Sequence, residues 1–193
     1  MFMKPLLLLT ISGLAACDPS EPQQAVEPVA ATQDNVFTST RPAHAADLAE
    51  VKAAAKAGDT VTFLARVGGK RKTFIDGAAV FVTADPKLIS CELMGDEDHC
   101  AVPWDYCCES GDAMTAGLAT VQLVDSAGVV LKHSAKGQGG LEELKFVVVE
   151  GVVRDRNEDG LFVVDASRIW VGQNPDRSNP RKGSGGPAEQ QEN

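Results

Sequence analysis

The pattern of apolar positions predicts a short helix followed by a series of β-strands. Residues 44–57 are rich in alanine, and Leu48, Val51 and Ala55 recur at helical spacing. Gly58 then supplies a C-terminal stop. Beyond this glycine the apolar positions alternate with a period of two, which is typical of strands with one buried face.

The later part of the chain contains apolar stretches of strand length, separated by turn residues such as the hairpin signal at 157–160. Three phenylalanines, at 63, 74 and 81, have spacings that suit packing in a core. The predicted strands are 60–67, 78–83 (or from Phe74), 119–124, 129–132, 146–154, 161–164 and 169–171, with a helical turn at 141–144.

The order of these elements, three strands, a short helical link and a hairpin, resembles the OB-fold, a five-stranded Greek-key barrel. The resemblance covers residues 59–172 and includes a glycine within the apolar stretch Val149-Glu-Gly-Val-Val153. It implies a mainly β fold class: a small five-stranded OB-like Greek-key barrel with a short N-terminal helix and disordered tails. Another small antiparallel barrel or a sandwich is the alternative.

The N-terminus has the pattern of an export signal. One positive charge precedes an apolar run that is too short to span a bilayer, which takes about 20 residues. The run ends in Leu14-Ala-Ala directly before Cys17, and this resembles the lipobox of bacterial lipoproteins. The resemblance implies a signal peptide at 1–16, cleavage before Cys17, and lipid attachment with acyl chains such as palmitate at Cys17. The domain would then be anchored to the cell membrane, facing the periplasm or the exterior. A plain secretory signal or a buried N-terminal helix is the alternative.

Composition divides the rest of the chain. Residues 17–42 are rich in Pro, Gln, Ala and Thr without an apolar period, which predicts a flexible tether. Residues 173–193 contain Asn-Pro and Gly-Ser-Gly-Gly-Pro and predict a disordered tail. Between them, residues 43–172 are expected to form the helix and the barrel, with a Cys-rich insertion at 90–112.

Net charge and motifs narrow the function classes. The net charge of −9 argues against a general nucleic-acid binder, which needs a positive footprint. No catalytic motif or cofactor motif is found, so neither an enzyme nor a cofactor is predicted. The segment Asp155-Arg-Asn-Glu-Asp-Gly160 opens like a calcium loop, but Ala166 stands where the twelfth-position glutamate belongs. A polar β-turn is predicted there.

Four of the five cysteines lie in one stretch, which contains Cys91, Cys100, Cys107 and Cys108. An even number of clustered cysteines in an exported protein predicts two disulfides, whose pairing stays open. A bond between adjacent cysteines is strained, so Cys107 and Cys108 are each expected to pair with one of the other two. The segment Pro-Trp-Asp-Tyr-Cys-Cys is similar to segments of uncharacterised exported lipoproteins, and this similarity implies no known activity.

The same stretch offers an alternative. Cys91, His99, Cys100 and Cys107 could supply soft ligands for zinc or copper, although no Cys-x-x-Cys pair occurs. The sequence therefore predicts a lipid-anchored extracytoplasmic binding or interaction module of unknown ligand, stapled by two disulfides. A metal-binding lipoprotein that uses the Cys-rich loop is the alternative.

Two candidate contact surfaces follow from the OB resemblance and from the aromatic residues. The loop Gly68–Lys72 carries the basic residues Lys70, Arg71 and Lys72, and in OB-folds the loop between the first two strands often touches ligand. Trp104 and Tyr106 mark the second surface, on the cysteine segment. In the disulfide interpretation these two side chains are instead expected to pack over the sulfurs or over the end of the barrel. The expected partners are the membrane, through the lipid, and a protein of the cell envelope.

Overall fold

The computed structural model describes residues 36–97, 100 and 102–173. These residues form seven strands and two short helices, with 3-10 turns at Cys91–Glu97 and Gln138–Gly140. In chain order the strands and helices are β1 (Phe37–Thr38), β2 (Ala46–Asp47), α1 (Leu48–Ala54), β3 (Thr60–Val67), β4 (Val80–Ala84), α2 (Gly111–Gly117), β5 (Leu118–Gln122), β6 (Phe146–Arg156) and β7 (Phe162–Gly172).

Five of the strands close into a barrel. β3 pairs antiparallel with both β4 and β6, and β4 continues antiparallel to β5. β5 pairs with β7 in parallel, and β7 pairs antiparallel with β6, which completes the ring. This closed order, with one parallel contact between the third and fifth barrel strands, confirms the predicted mainly β fold with a small OB-like barrel.

The barrel interior is filled by apolar side chains. On β3 the alternating residues Val61, Phe63, Ala65 and Val67 are all buried, as the period of two predicts. Phe74 stacks on Phe81 with ring centroids 5.9 Å apart, and both rings are buried. All three predicted core phenylalanines are therefore core residues, and each such side chain contributes about 1.5–3 kcal/mol by burial.

A glycine sits where the longest hairpin changes register. The pairing of β6 with β7 shifts between Glu150 and Gly151. A Cβ at Gly151 would lie 2.3 Å from the carbonyl oxygen of Asp165. The glycine in the apolar stretch therefore lets the two strands approach closely at this irregularity.

The N-terminal helix is shorter than predicted. The prediction placed it at 44–57, whereas α1 spans Leu48–Ala54 and begins after β2, which pairs in parallel with β3. His44 has a left-handed backbone (φ 60°), which stops a helix from starting there. The carboxylate of Asp85 accepts a hydrogen bond from the amide of Ala49 (2.7 Å), so the helix start is capped by a residue distant in sequence.

Three smaller predictions were wrong. Residues 129–132 do not form a strand, because only an isolated bridge joins Val124 to Val130. The helical turn expected at 141–144 is absent; a 3-10 turn lies just before it, and Leu144 has a left-handed backbone (φ 67°). The two strands predicted at 161–164 and 169–171 are one continuous strand, β7.

The folded domain begins earlier than the predicted boundary of the tether. Residues 36–42 were assigned to the tether at 17–42, yet Val36 is buried and β1 pairs in parallel with β7. The predicted signal peptide, Cys17 and nearly all of the C-terminal tail lie outside the described residues. Within the described residues, no helix is long and apolar enough to cross a membrane.

Candidate functional site

The cysteine segment is an insertion between the second and third barrel strands, β4 and β5, and it folds back on itself. The amide of Cys91 donates to the carbonyl of Asp105 (2.8 Å), and the amide of Glu92 donates to that of Pro103 (3.0 Å). These two bonds align the ends of the segment. Cys91 and Cys107 come together as a result, although 16 positions separate them in sequence.

One arginine of the barrel, Arg66, contacts this segment through several groups. Arg66, on β3, donates to the hydroxyl of Ser90 (2.9 Å) and to the carbonyl of Leu144 (3.1 Å), and it forms an ion pair with Glu92. Its guanidinium lies over the ring of Phe146, 5.3 Å from the centroid. Because Ser90 and Glu92 flank Cys91, this network fixes the position of that cysteine.

Three sulfur atoms converge at the site. The Sγ atoms of Cys107 and Cys100 are 2.8 Å apart, and those of Cys107 and Cys91 are 3.5 Å apart. All three lie within 4.8 Å of one another. A covalent S–S bond is about 2.05 Å long. The two predicted disulfides are thus not formed among the four cysteines of the segment in this structure.

The environments of the thiols differ. Cys91 is buried, and burial raises the pKa of its thiol. Cys107 is exposed, and hydrogen bonds from Cys100 and Cys91 lower the pKa of its thiol. The cluster therefore combines a buried thiol, Cys91, with a solvent-accessible thiol of lowered pKa, Cys107. The thiolate is the form of cysteine that reacts and binds metal.

The cluster contains three of the four residues of the metal alternative. Cys91, Cys100 and Cys107 meet, whereas His99 lies outside the described residues. Among the described residues, no other set of three His, Cys, Asp or Glu side chains converges in this way. The calcium-like segment instead forms a hairpin turn, in which the side chain of Asn157 accepts from the amide of Leu161 (2.8 Å).

The two predicted contact surfaces are joined into one. The amide of Gly69 donates to the carbonyl of Trp104 (3.0 Å), and the indole of Trp104 donates to the carbonyl of Arg71 (3.2 Å). Trp104 is half-buried in this contact, whereas Lys70, Arg71 and Lys72 are exposed. We call the exposed basic loop and Trp104 together the joined surface.

Tyr106 is not a contact residue. Its side chain is 0% exposed and packs under Gly68, so the prediction that it touches ligand is wrong. Burial raises the pKa of Tyr106 to about 12. Within the described part of the chain its hydroxyl makes no hydrogen bond of regular geometry, although Ser90 and Arg66 lie near it.

A cleft that the sequence did not reveal lies beside the joined surface. It has a volume of about 220 Å³ and mixes apolar with polar side chains. Beneath it, the ammonium of Lys52 donates to three carbonyls, those of Thr115, Leu118 and Gly160, at 2.6–2.7 Å. The cleft residues include Lys70, Met114, Thr115, Leu118, Thr120, Asp159 and Leu161.

Sequence reasoning missed Lys52 and helix α2. Lysines are rarely buried, so nothing in the helical pattern marks Lys52 as a buried residue. The start of α2 did carry a signal, because Ser110 accepts from the amide of Ala113 (3.1 Å) as an N-cap. Comparisons of the chain with protein families, curated proteins and solved structures find no match.

Proposed function

We propose that this protein is a lipid-anchored binding module that acts outside the cytoplasm and contacts its ligand through the joined surface. The observation that carries the proposal is the hydrogen bonding between Trp104 and the basic loop, which unites two separate candidate surfaces. Binding sites gain affinity from such preorganised loops, since less ordering is needed when the ligand arrives.

The filled barrel supports an external site. Its interior is occupied by buried apolar side chains from every barrel strand, so a ligand must bind on the outside or at an end. The cleft and the joined surface share Lys70, and residues of β4 and β5 also line the cleft.

The exposed charges of the joined surface indicate which chemical group of a ligand it favours. Lys70 and Arg71 are exposed and make no ion pair with any residue in the described part of the chain. The chain as a whole carries a net charge of −9. A locally positive loop on an acidic protein favours a ligand with a negative group at the point of contact.

The anchor rests on the pattern that ends at Cys17. A buried methylene contributes about 0.8 kcal/mol, and one acyl chain alone binds a membrane only marginally. The two or three chains that the lipoprotein resemblance implies would hold the domain stably. Residues 18–35 would then connect the anchor to the start of the folded domain at Val36.

The anchor is tested with the full chain in a bacterium that processes lipoproteins. We expect the wild-type protein to sediment with membranes and to incorporate labelled palmitate. Cys17→Ser should lose the label and leave the membrane fraction, whereas Cys108→Ser should behave as wild type. Membrane retention and labelling of Cys17→Ser would contradict the proposal.

The contact surface is tested with a photoreactive amino acid placed at position 70 or at position 129, in cells of the source organism. Val129 is 53% exposed and lies outside the joined surface, so it serves as the matched control. We expect crosslinked products at 70 and none at 129. Equal crosslinking at the two positions, or none at 70, would refute the joined surface as the contact site.

A further inference from the structure

We propose that Cys91, Cys100 and Cys107 form a three-thiolate site for a thiophilic metal cation, with Zn(II) and Cu(I) as the two ions of that chemistry. This inference goes beyond the proposed function and does not depend on the lipid anchor. It rests on the convergence of the three sulfur atoms within 4.8 Å of one another.

The arrangement of the sulfurs favours a shared ligand over disulfide pairing. Cys107 is close to both Cys100 (2.8 Å) and Cys91 (3.5 Å). A disulfide joins only two sulfurs, so it would leave the third thiol of this group unbonded. A metal ion bonds all three at once, and three mutual neighbours are the arrangement that it requires.

The spacing fits a metal after a small adjustment. A Zn–S bond is about 2.3 Å, so two sulfurs on a tetrahedral zinc are about 3.8 Å apart. The distance from Cys91 to Cys107 is already close to this value. Cys100 and Cys107 must separate by about 1 Å, and neither side chain is buried, so both have room to move.

The surrounding residues hold Cys91 in place and leave Cys107 open to solvent. Cys91 is buried and held by its backbone bond to Asp105 and by the contacts of Arg66 with its two neighbours in sequence. Cys107 is exposed, so an ion can enter from solvent. A fixed buried ligand and an exposed one allow the ion to load without unfolding of the barrel.

The donor set selects the ion. Thiolates are soft ligands that bind Zn(II) and Cu(I), whereas Ca²⁺ and Mg²⁺ require oxygen ligands. Three thiolates leave a tetrahedral zinc with one further position for water or for a group from a partner. Such an open position is typical of zinc sites that exchange or activate a ligand and not of closed structural sites.

The test uses the full chain, purified in mild detergent under anaerobic reducing conditions, with Zn(II) and Cu(I) added in separate arms. We expect about one equivalent of one of these ions to remain after dialysis. Replacement of zinc by Co(II) should give a sulfur-to-cobalt charge-transfer band in the near ultraviolet. The arm that retains its ion at the lower free metal concentration identifies the preferred cation.

Two exposed, adjacent cysteines provide matched variants. Cys107→Ser removes a ligand and should weaken binding by more than about 100-fold and abolish the cobalt band. Cys108→Ser, outside the converging group, should keep both. The circular dichroism of each variant establishes that the barrel is folded.

Three results would overturn the site. They are the absence of retained metal in both arms of the reduced protein, equal binding by Cys107→Ser and Cys108→Ser, and an intact-mass loss of about four protons that persists under the reducing conditions, which reports two stable disulfides. None of them bears on palmitate labelling at Cys17, so failure of the metal site and failure of the anchored module are distinguishable.

Discussion

The backbone amide of Gly69 donates a hydrogen bond to the carbonyl oxygen of Trp104, with 3.0 Å between the two atoms. This bond crosses from the loop after the first barrel strand to the cysteine segment after the second. Each of the two loops thereby limits the freedom of the other. A change on one of them should accordingly be felt at both, which makes the contact testable.

Gly69→Ala should destabilise the fold. Gly69 has φ +109°, and a Cβ there would lie 2.5 Å from the side chain of Leu118. Backbone strain alone costs about 1–3 kcal/mol, and the clash adds to it. Chemical denaturation measures the loss. Gly77→Ala, with φ +70° and open space, is the control and should cost only about 1–2 kcal/mol. Equal losses would argue against the close approach to Leu118.

Arg66→Met should loosen the cysteine segment before it affects the barrel. The side chain of Arg66 is 13% exposed and contacts Ser90, Glu92 and the carbonyl of Leu144. Hydrogen bonds to charged groups contribute about 1.5–3 kcal/mol, so a loss of this size is expected. Amide hydrogen exchange at Cys91 should become faster, because Arg66 contacts the residues on either side of it.

The matched control for the arginine is Arg168→Met. Arg168 pairs with Glu150 on the surface of the β6–β7 hairpin at 2.8 Å. An exposed pair of this kind contributes about 0–1 kcal/mol. If Arg168→Met proved as costly as Arg66→Met, the special role of Arg66 would have to be abandoned.

Lys52 should make stability rise between neutral and alkaline pH. Burial, followed by the nearby charge of Arg156, lowers the pKa of Lys52 from 10.5 to about 8. Between these values the unfolded chain holds more protons than the folded one, so the free energy of unfolding gains from Lys52 as pH rises. Below about pH 8 Lys52 is charged in the folded protein, and the full cost of burying this charge lowers the free energy of unfolding.

The difference between wild type and Lys52→Met isolates this contribution. We expect the free energy of unfolding of the wild type, minus that of the variant, to increase from pH 7 to pH 10. Tyr106 acts in the opposite direction, because burial raises the pKa of Tyr106 to about 12, but its effect is common to both proteins and cancels. A flat or falling difference would contradict the lowered pKa of Lys52.

Tyr106→Phe should be neutral or slightly stabilising. The hydroxyl of Tyr106 is buried and, among the described residues, makes no hydrogen bond of regular geometry. Its removal relieves a desolvation cost of about 1–3 kcal/mol, which the loss of its interactions with the nearby Ser90 and Arg66 largely offsets. Tyr106→Ala, by contrast, should destabilise by about 3–5 kcal/mol because it leaves a cavity beneath Gly68. Thermal unfolding distinguishes the two variants. A strongly destabilised Tyr106→Phe would indicate that the hydroxyl has a partner.

The barrel was predictable because its strands carry local signals. The strand predicted at 60–67 is β3 with the same ends, since its alternation reflects one buried face. β1 and β2 were not predictable, because two-residue strands have no period and exist only through pairing with β7 and β3. The start of α1 depends likewise on the distant carboxylate of Asp85.

The site was predictable in its residues but not in its arrangement. Clustering in sequence singled out Cys91, Cys100 and Cys107, yet the position of Cys91 depends on Arg66, a β3 residue that no motif connects to it. Tyr106 was misassigned because an aromatic residue beside cysteines has the same sequence pattern whether it faces solvent or the core. Burial is decided by how the segment packs on Gly68.

The first pairing of the folded chain also determines how the domain would respond to mechanical load. Val36 accepts a hydrogen bond from the amide of Ile169 (2.7 Å), and the two-residue β1 lies parallel to the eleven-residue β7. A pull on the chain from its N-terminal side reaches this short pairing before it reaches the barrel. β1 is therefore the first paired element that such a load reaches, and its detachment would withdraw Val36 from the hydrophobic core.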